Sequence, residues 1–202
     1  TVLDPRRLCN RLAVAPLLLL IAVLTGCKVD SVNPISSFDR SKPDTAIHGV
    51  WRYQDKEELS YIHIGPEFSM ADAATPGNRR TKIVVVDHKR NGLTDEAYVA
   101  FTSWVGKQRY LNVVQAEGAT TVGYLFVRYT LVDRDTLRFA MMDEKALEAA
   151  IRTGRIRGET RGEGLSSQTV ITAESSEIER FLATEGRKLF AAPFVVRRVQ
   201  AR

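Results

Sequence analysis

The clearest strand pattern in the chain lies in residues 122–142, VGYLFVRYTLVDRDTLRFAMM. Successive side chains of a strand point to opposite faces of a sheet, so apolar residues at every second position indicate a half-buried strand. This alternation predicts two antiparallel strands, 122–132 and 136–142, joined by a turn at residues 133–135. Their shared apolar face holds Leu125, Val127, Tyr129, Leu131, Leu137, Phe139 and Met141.

The chain on either side of this hairpin carries further strand and turn signals. Asn91-Gly92 is the strongest hairpin signal, because both residues tolerate the positive φ of a type I′ turn. Further strands are expected at 49–54, 58–64, 81–89, 94–104, 108–115, 168–171 and 194–199. Short strands with one dry and one wet face predict a mainly β fold, an antiparallel barrel of about eight to nine strands.

Two short helices are expected near the C-terminal end of this domain. The first starts near Asp143, a residue that is favourable at an N-cap, and stops at Gly154. The second begins by Ser176, which has capping-box spacing to Glu179, and stops at Gly186. Their apolar stripes are narrow, so we expect the helices to lie on the outside of the barrel or across one end.

The first 26 residues have the composition of an export signal. Three arginines lie among the first eleven residues, and an apolar run of thirteen residues follows from Leu12 to Leu24. That run suits a signal peptide and is shorter than the roughly 20 residues that span a bilayer as a helix. It ends in Leu24-Thr25-Gly26-Cys27, which resembles the lipobox of bacterial lipoproteins: a branched apolar residue, two small residues and a cysteine.

The lipobox resemblance implies cleavage between Gly26 and Cys27 and attachment of a diacylglycerol to Cys27. Two or three acyl chains would anchor the protein stably in a membrane of the bacterial cell envelope. In Gram-negative bacteria an aspartate after the cysteine commonly retains lipoproteins in the inner membrane, so Lys28 favours the periplasmic face of the outer membrane if the source is Gram-negative. Residues 27–47 would then be the lipidated end and a flexible tether with a reach of about 25 Å. Residues 48–202 would form a single barrel domain.

The two ends of the barrel domain carry a second resemblance. Gly49-Val50-Trp51 opens the first strand, and the last strand contains Arg197 and Arg198. This resembles the calycin (lipocalin-like) arrangement, in which a G-x-W tryptophan seals one barrel end and an arginine from the last strand packs over its ring. The resemblance implies that Trp51 is the plug and Arg197 or Arg198 its partner, through cation–π attraction and stem burial. Two helices before the last strand, rather than one, depart from that pattern.

Charge and cysteine content exclude several function classes. The formal net charge is +5, of which the arginine-rich leader contributes +2, and no concentrated basic face is visible. Nucleic acid is therefore not an expected partner. Cys9 lies in the leader, which leaves Cys27 as the only cysteine of the mature chain and no internal disulfide.

No catalytic site, metal or cofactor is expected. The three histidines, His48, His63 and His88, have no metal-ligand spacing, and no serine lies in a nucleophile-elbow motif. The segment 152–161 interleaves arginines with glycines. We interpret it as an exposed loop whose charges are partly balanced by neighbouring glutamates, rather than as an anion site.

Two functions remain open from the sequence. In the first, the barrel binds a small apolar or amphiphilic ligand, and Tyr129 can supply a hydrogen bond to it. In the second, the barrel is filled and its surface docks an envelope protein or a cell-wall polymer. Barrels of about eight strands can be filled or hollow, so a cavity of roughly several hundred Å³ would favour the first. The pocket would be lined by Leu125, Val127, Tyr129, Leu137 and Phe139.

Overall fold

The computed structural model describes residues 31–55, 58–67, 79–89, 92–117, 121–161 and 168–200. Within them, eight strands close into an antiparallel barrel, which confirms the predicted mainly β architecture. The barrel strands are β1 (Gly49–Gln54), β2 (Leu59–Pro66), β3 (Thr81–Lys89), β4 (Gly92–Val105), β5 (Gln108–Glu117), β6 (Thr121–Asp133), β7 (Thr136–Met141) and β10 (Phe194–Arg198). The other two, β8 (Gly158–Arg161) and β9 (Gln168–Ile171), pair with each other outside the barrel.

Strands that follow one another in the chain are neighbours in the barrel from β1 to β7. β10 closes the barrel by pairing with β7 on one side and with β1 on the other. Lys89 pairs with Gly92, so the chain reverses between β3 and β4 at the predicted hairpin, although Asn91 itself lies outside the described residues. Gly106, between β4 and β5, has a φ of 58°, a backbone conformation that favours glycine.

Alternation along the strands places apolar side chains inside the barrel. Leu125, Val127 and Tyr129 of β6 are buried there, as are Leu137 and Phe139 of β7. Side chains from the other strands join them in one continuous core. The face predicted to be dry in residues 122–142 is therefore the inner face of the barrel.

A second core lies on the outside of the barrel wall. Tyr110, Phe126 and Ala140 point outward from β5, β6 and β7 and are buried beneath the helices. The helices are α1 (Glu144–Arg152) and α2 (Ser175–Glu185), which contribute Leu147 and Phe181 to this core. The wall is therefore dry on both faces here, and the helices occupy the outside of the barrel, one of the two expected positions.

The two helices differ in how their first turns are capped. α1 begins as predicted, because the Asp143 side chain accepts a hydrogen bond from the Ala146 N–H at 3.0 Å. The predicted capping box of α2 is wrong: the N-cap is Glu174, and it makes no side-chain cap bond. Instead Ser175 Oγ donates to the Pro34 carbonyl at 2.7 Å, so a distant segment stabilises this helix end.

The arginine-rich segment 152–161 is more ordered than the predicted exposed loop. Its second half forms β8, which pairs with β9 along its whole length. Arg155 Nη1 lies 3.3 Å from Glu185 Oε2, and Arg157 Nη2 lies 2.8 Å from Glu177 Oε2. α2 therefore supplies carboxylates that balance Arg155 and Arg157, because the fold brings the two stretches together.

Residues 31–47, predicted to be part of a flexible tether, are folded against the barrel, and we call them the strap. Ile35 and Ile47 are buried in the two cores. The fully buried Asn112 side chain of β5 accepts a hydrogen bond from the Ile35 N–H at 2.8 Å. The tether prediction is wrong for these residues, because the partners of the strap are remote in sequence and leave no local periodicity.

Candidate ligand-binding site

The barrel has two unlike ends. At the first, which we call the sealed end, β1 begins and the turns at Gly106 and at residues 134–135 lie. The strap crosses this end before it enters β1. At the other, the open end, β3 passes into β4, β5 passes into β6, and β7 ends. The strap leaves this open end uncovered within the described residues.

Trp51 plugs the sealed end. Its side chain has no exposed surface and belongs to the inner core. The indole Nε1–H donates to the Ile47 carbonyl at 2.8 Å, so the one polar group of the ring is satisfied by the strap. The tryptophan of the G-x-W motif therefore occupies the position that the calycin resemblance implies.

Arg198 lies over the Trp51 ring, with its Cζ 4.1 Å from the ring centroid. Its guanidinium also donates to three main-chain carbonyls, those of Ala46 at 2.8 Å, His48 at 2.6 Å and Arg134 at 2.8 Å. A planar guanidinium can stack on a ring and donate at its edges at the same time. Arg198 thereby joins the strap to the β6–β7 turn across the plug.

Arg197, the other arginine that the resemblance suggested, does not contact the plug. It is exposed, and its Nη1 donates to the Thr136 hydroxyl on the neighbouring strand. Adjacent residues of a strand point to opposite faces, so only one of the two arginines can lie over Trp51.

Gly49 is required by the geometry of the plug. Its φ of 138° lies in the range that L side chains rarely adopt. A Cβ built on it would lie 2.5 Å from Arg198 Nη1, which is closer than van der Waals contact allows. The glycine and the tryptophan of the motif are thus two parts of one contact with Arg198.

A carboxylate from the strap completes the sealed end. Asp44 is buried, and its Oδ2 accepts hydrogen bonds from Arg109 Nη1 at 2.9 Å and from the Tyr129 hydroxyl at 3.0 Å. Burial, and secondly the charge of Asp44, raises the pKa of Tyr129 well above its ordinary value. The phenol therefore stays protonated and serves as a fixed donor to the strap.

A cavity of about 70 Å³ lies inside the barrel on the side of the open end. Met141 and Phe194, the last residue of β7 and the first of β10, are only half-buried, so the cavity reaches toward the open end. The surface that its wall presents is apolar. The wall consists of Ile62, Ile83, Val85, Tyr98, Leu111, Val113, Leu125, Val127, Phe139, Met141 and Phe194.

Three of the five residues predicted to line a pocket lie in the wall of this cavity: Leu125, Val127 and Phe139. Leu137 and Tyr129 share the inner face but lie nearer the sealed end, in the packed core. The Tyr129 hydroxyl binds Asp44, so the cavity does not receive the hydrogen bond predicted for it. Alternation identifies the inner face of a strand, and depth along the barrel depends on register with the other strands.

Polar side chains lie at the mouth of the cavity. The Tyr98 hydroxyl donates to Glu96, and Ser60 Oγ donates to Asp87 Oδ1 at 2.5 Å. Burial, followed by the effects of Glu96 and Asp87, raises the pKa of Tyr98. The mouth therefore combines an apolar wall with hydroxyl and carboxylate groups that form hydrogen bonds with one another.

The histidines lie apart from one another. His63 and His88 are exposed on β2 and β3, whereas His48 is half-buried next to the strap. Burial lowers the pKa of His48, an effect that the nearby Asp44 charge opposes. Among the described residues, no group of three or more His, Cys, Asp or Glu side chains is placed to hold a metal ion.

Sequence reasoning missed the polar residues that hold the strap. Asn112 is a single amide within the apolar run 110–114 of β5, and it donates to Ser103 Oγ at 2.8 Å and to the Phe101 carbonyl at 3.1 Å. A polar side chain in the middle of an apolar strand requires an internal partner, and this was the available signal. Asp44 had a weaker signal, as the N-cap of the short 3-10 turn Thr45–Ile47.

Gly26 and Cys27, the predicted cleavage and lipidation residues, lie outside the described residues. Across the described ranges, no helix combines the length and apolar character needed to cross a bilayer. Comparison of the chain with protein-family models, with curated proteins and with solved structures finds no match.

Proposed function

We propose that this protein is a lipid-anchored protein of the bacterial envelope whose barrel binds a narrow apolar group, such as the end of an alkyl chain, through its open end. The observation that carries the proposal is the apolar cavity that reaches toward the open end. The opposite end is closed by Trp51 and Arg198, so a ligand has one direction of entry.

The size of the cavity limits what it can hold. Its volume of about 70 Å³ is roughly half that of an engineered apolar cavity that binds one benzene molecule. Ligand pockets for larger molecules typically measure roughly 300–1,000 Å³. A chain end of about three or four methylene groups fits this volume, and the rest of an amphiphile would lie at the mouth, beside Tyr98 and Glu96.

The membrane anchor in this proposal rests on the sequence. Leu24-Thr25-Gly26-Cys27 follows a basic region and an apolar run in the order and spacing of a lipoprotein signal. A protein with lipid chains on Cys27 meets amphiphiles at the surface of its own membrane. Lys28 favours the periplasmic face of the outer membrane as that place.

A second function, docking of an envelope protein or a cell-wall polymer by a filled barrel, is favoured by the small size of the same cavity. Much of the inner core is fully packed, including Trp51, Tyr129 and Leu137. In that account the cavity is a packing defect, and the barrel is a rigid support for its surface.

A titration with a series of n-alkanols distinguishes the two functions. Each methylene group that enters the cavity contributes about 0.8 kcal/mol, or about fourfold in affinity. We expect affinity to rise by that factor per methylene group from ethanol upward and to level off once about three or four methylene groups are buried. The measurement is isothermal calorimetry on the folded domain, without detergent.

Two substitutions on the same face of β7 provide a matched comparison. Phe139→Leu replaces a residue of the cavity wall by a smaller one, which enlarges the cavity and is expected to move the plateau to a longer alkanol. Leu137→Val removes a methylene from the packed core outside the cavity and is expected to leave the plateau where it is. Absence of binding by every alkanol, in the wild type and in both variants, would reject the ligand-binding function and leave the docking function.

A further inference from the structure

The position of Ser31 in the fold carries information about how the barrel meets the membrane. We propose that the open end of the barrel faces the lipid bilayer, so that the cavity takes its ligand from the membrane surface. This inference rests on the anchoring of Cys27 in the proposed function. The open end is then a docking surface whose partner is the bilayer.

Ser31 is built into the barrel wall. Its N–H donates to the Tyr124 carbonyl at 3.0 Å, and the Tyr124 N–H donates to the Ser31 carbonyl at 2.8 Å. Its side chain is fully buried, and Ser31 Oγ donates to the Ile171 carbonyl of β9 at 3.3 Å. Val32 adds a main-chain bond to Ile171 at 3.0 Å. The chain is therefore held in place from Ser31 onward.

Ser31 lies toward the open end. β7 makes its last pair with β6 between Met141 and Val127, and β6 continues toward the open end as far as Thr121. Ser31 pairs with Tyr124, so it occupies the place beside β6 that β7 leaves free. Leu125, the next residue after Tyr124, points inward and lines the cavity. The attachment point and the cavity thus lie on opposite faces of the same part of the wall.

The connection from the lipidated residue to this point is short. Only three residues separate Cys27 from Ser31. Even a fully extended chain spans at most about 14 Å over these four steps. The flexible tether predicted from sequence, with a reach of about 25 Å, would have placed no such limit on the barrel.

The barrel is longer than the maximum reach of this connection. From Tyr124 to Asp133, at the sealed end, β6 extends nine residues, or roughly 31 Å at about 3.4 Å per residue. With the usual strand tilt of roughly 40°, this corresponds to about 23 Å along the barrel axis. If the sealed end faced the bilayer, Ser31 would lie about 23 Å above it, beyond the reach of about 14 Å. The short connection therefore excludes that orientation and holds the open end near the lipid.

Single labels at the two ends of the barrel test this orientation. Leu93, at the start of β4, and Val132, at the end of β6, are both exposed apolar residues, so Leu93→Cys and Val132→Cys are matched substitutions. With Cys9 removed and Cys27 acylated, the introduced thiol is the only one available for a fluorophore. The full-length protein is expressed, purified from membranes and placed in phosphatidylcholine vesicles that carry a nitroxide on the lipid headgroup.

We expect the nitroxide to quench the label at position 93 and to leave the label at position 132 unchanged. A Gly/Ser insert of about 20 residues between Asp30 and Ser31, with a reach of about 25 Å, should abolish this difference. Equal quenching at the two positions in the acylated wild-type background, or stronger quenching at position 132, overturns the orientation alone. Intact mass spectrometry is the separate check on anchoring: a mass without acyl chains overturns the anchor, and the orientation with it.

Discussion

The two tryptophans of the chain occupy opposite environments, and replacing each by alanine tests the plug. Trp51 is fully buried, and truncation of a buried tryptophan costs about 3–5 kcal/mol. The substitution also leaves the Ile47 carbonyl without its donor, which adds about 1 kcal/mol. We therefore expect Trp51→Ala to lower the free energy of unfolding by about 4–6 kcal/mol.

Trp104 is the control, because it is 45% exposed and its main partner is the Arg109 guanidinium, 4.6 Å from its ring centroid. Trp104→Ala should cost about 1 kcal/mol, the loss of one exposed cation–π contact. The assay is urea unfolding of the domain followed by circular dichroism. Trp51→Phe serves as the milder variant if the alanine protein does not fold. A Trp51→Ala loss within about 0.5 kcal/mol, or one equal to that of Trp104→Ala, would refute the plug.

Three further predictions concern the anchor, the strap and the response to pH. Cys27→Ser should abolish incorporation of a labelled fatty acid and leave unprocessed precursor; a wild-type protein that takes up no label contradicts the lipobox. Asn112→Ala should destabilise the domain by about 2–3 kcal/mol, because it leaves buried partners in the strap and in β4 unpaired. Asn33→Ala should cost less, because Asn33 is half-buried and its side chain makes a single bond to a carbonyl. Equal losses in urea unfolding would count against the strap. Burial lowers the pKa of His48, so the unfolded chain binds the imidazole proton more tightly, and the free energy of unfolding should fall as pH drops below about 6.5. His48→Gln should make the free energy of unfolding less dependent on pH in this range. An unchanged pH dependence would exclude His48 as its source.

The barrel could be predicted because the signals for its strands and turns lie in residues that are close together in the sequence. In β6 and β7 the apolar positions alternate, and β3 was predicted at the residues that the structure shows, 81–89. Asn91-Gly92 marked the hairpin that follows β3. Each of these signals lies within a few neighbouring residues, which is the range over which side-chain periodicity and turn chemistry act.

The strap and β8 could not be predicted in the same way, because they depend on distant partners. Ser31 pairs with Tyr124, and Ile35 binds Asn112. A polar sequence without periodicity has the same appearance whether it is a tether or a strap held by such bonds. β8 has no apolar alternation of its own and forms by pairing with β9, and carboxylates of α2 bind Arg155 and Arg157 just before it.

The residues of the candidate site were predicted only in part, because their positions also depend on partners that are distant in sequence. The sequence predicted one dry and one wet face for β6, and the wet face is wrong at Phe126, which lies beneath the helices. The choice between Arg197 and Arg198 required the register of β10 with β1, in which Arg198 pairs with Trp51. The boundary between packed core and cavity required the side chains of every strand at once.

Binding of an apolar chain end inside the barrel can be observed residue by residue with methyl NMR during a titration with decanol. Leu125 and Val127 line the cavity, and Leu137 and Val196 are equally buried but lie outside it. We expect saturable shifts of the Leu125 and Val127 methyl signals, with the Leu137 and Val196 signals unmoved. Decanol that shifts none of these signals, or that shifts only residues on the barrel surface, would contradict it.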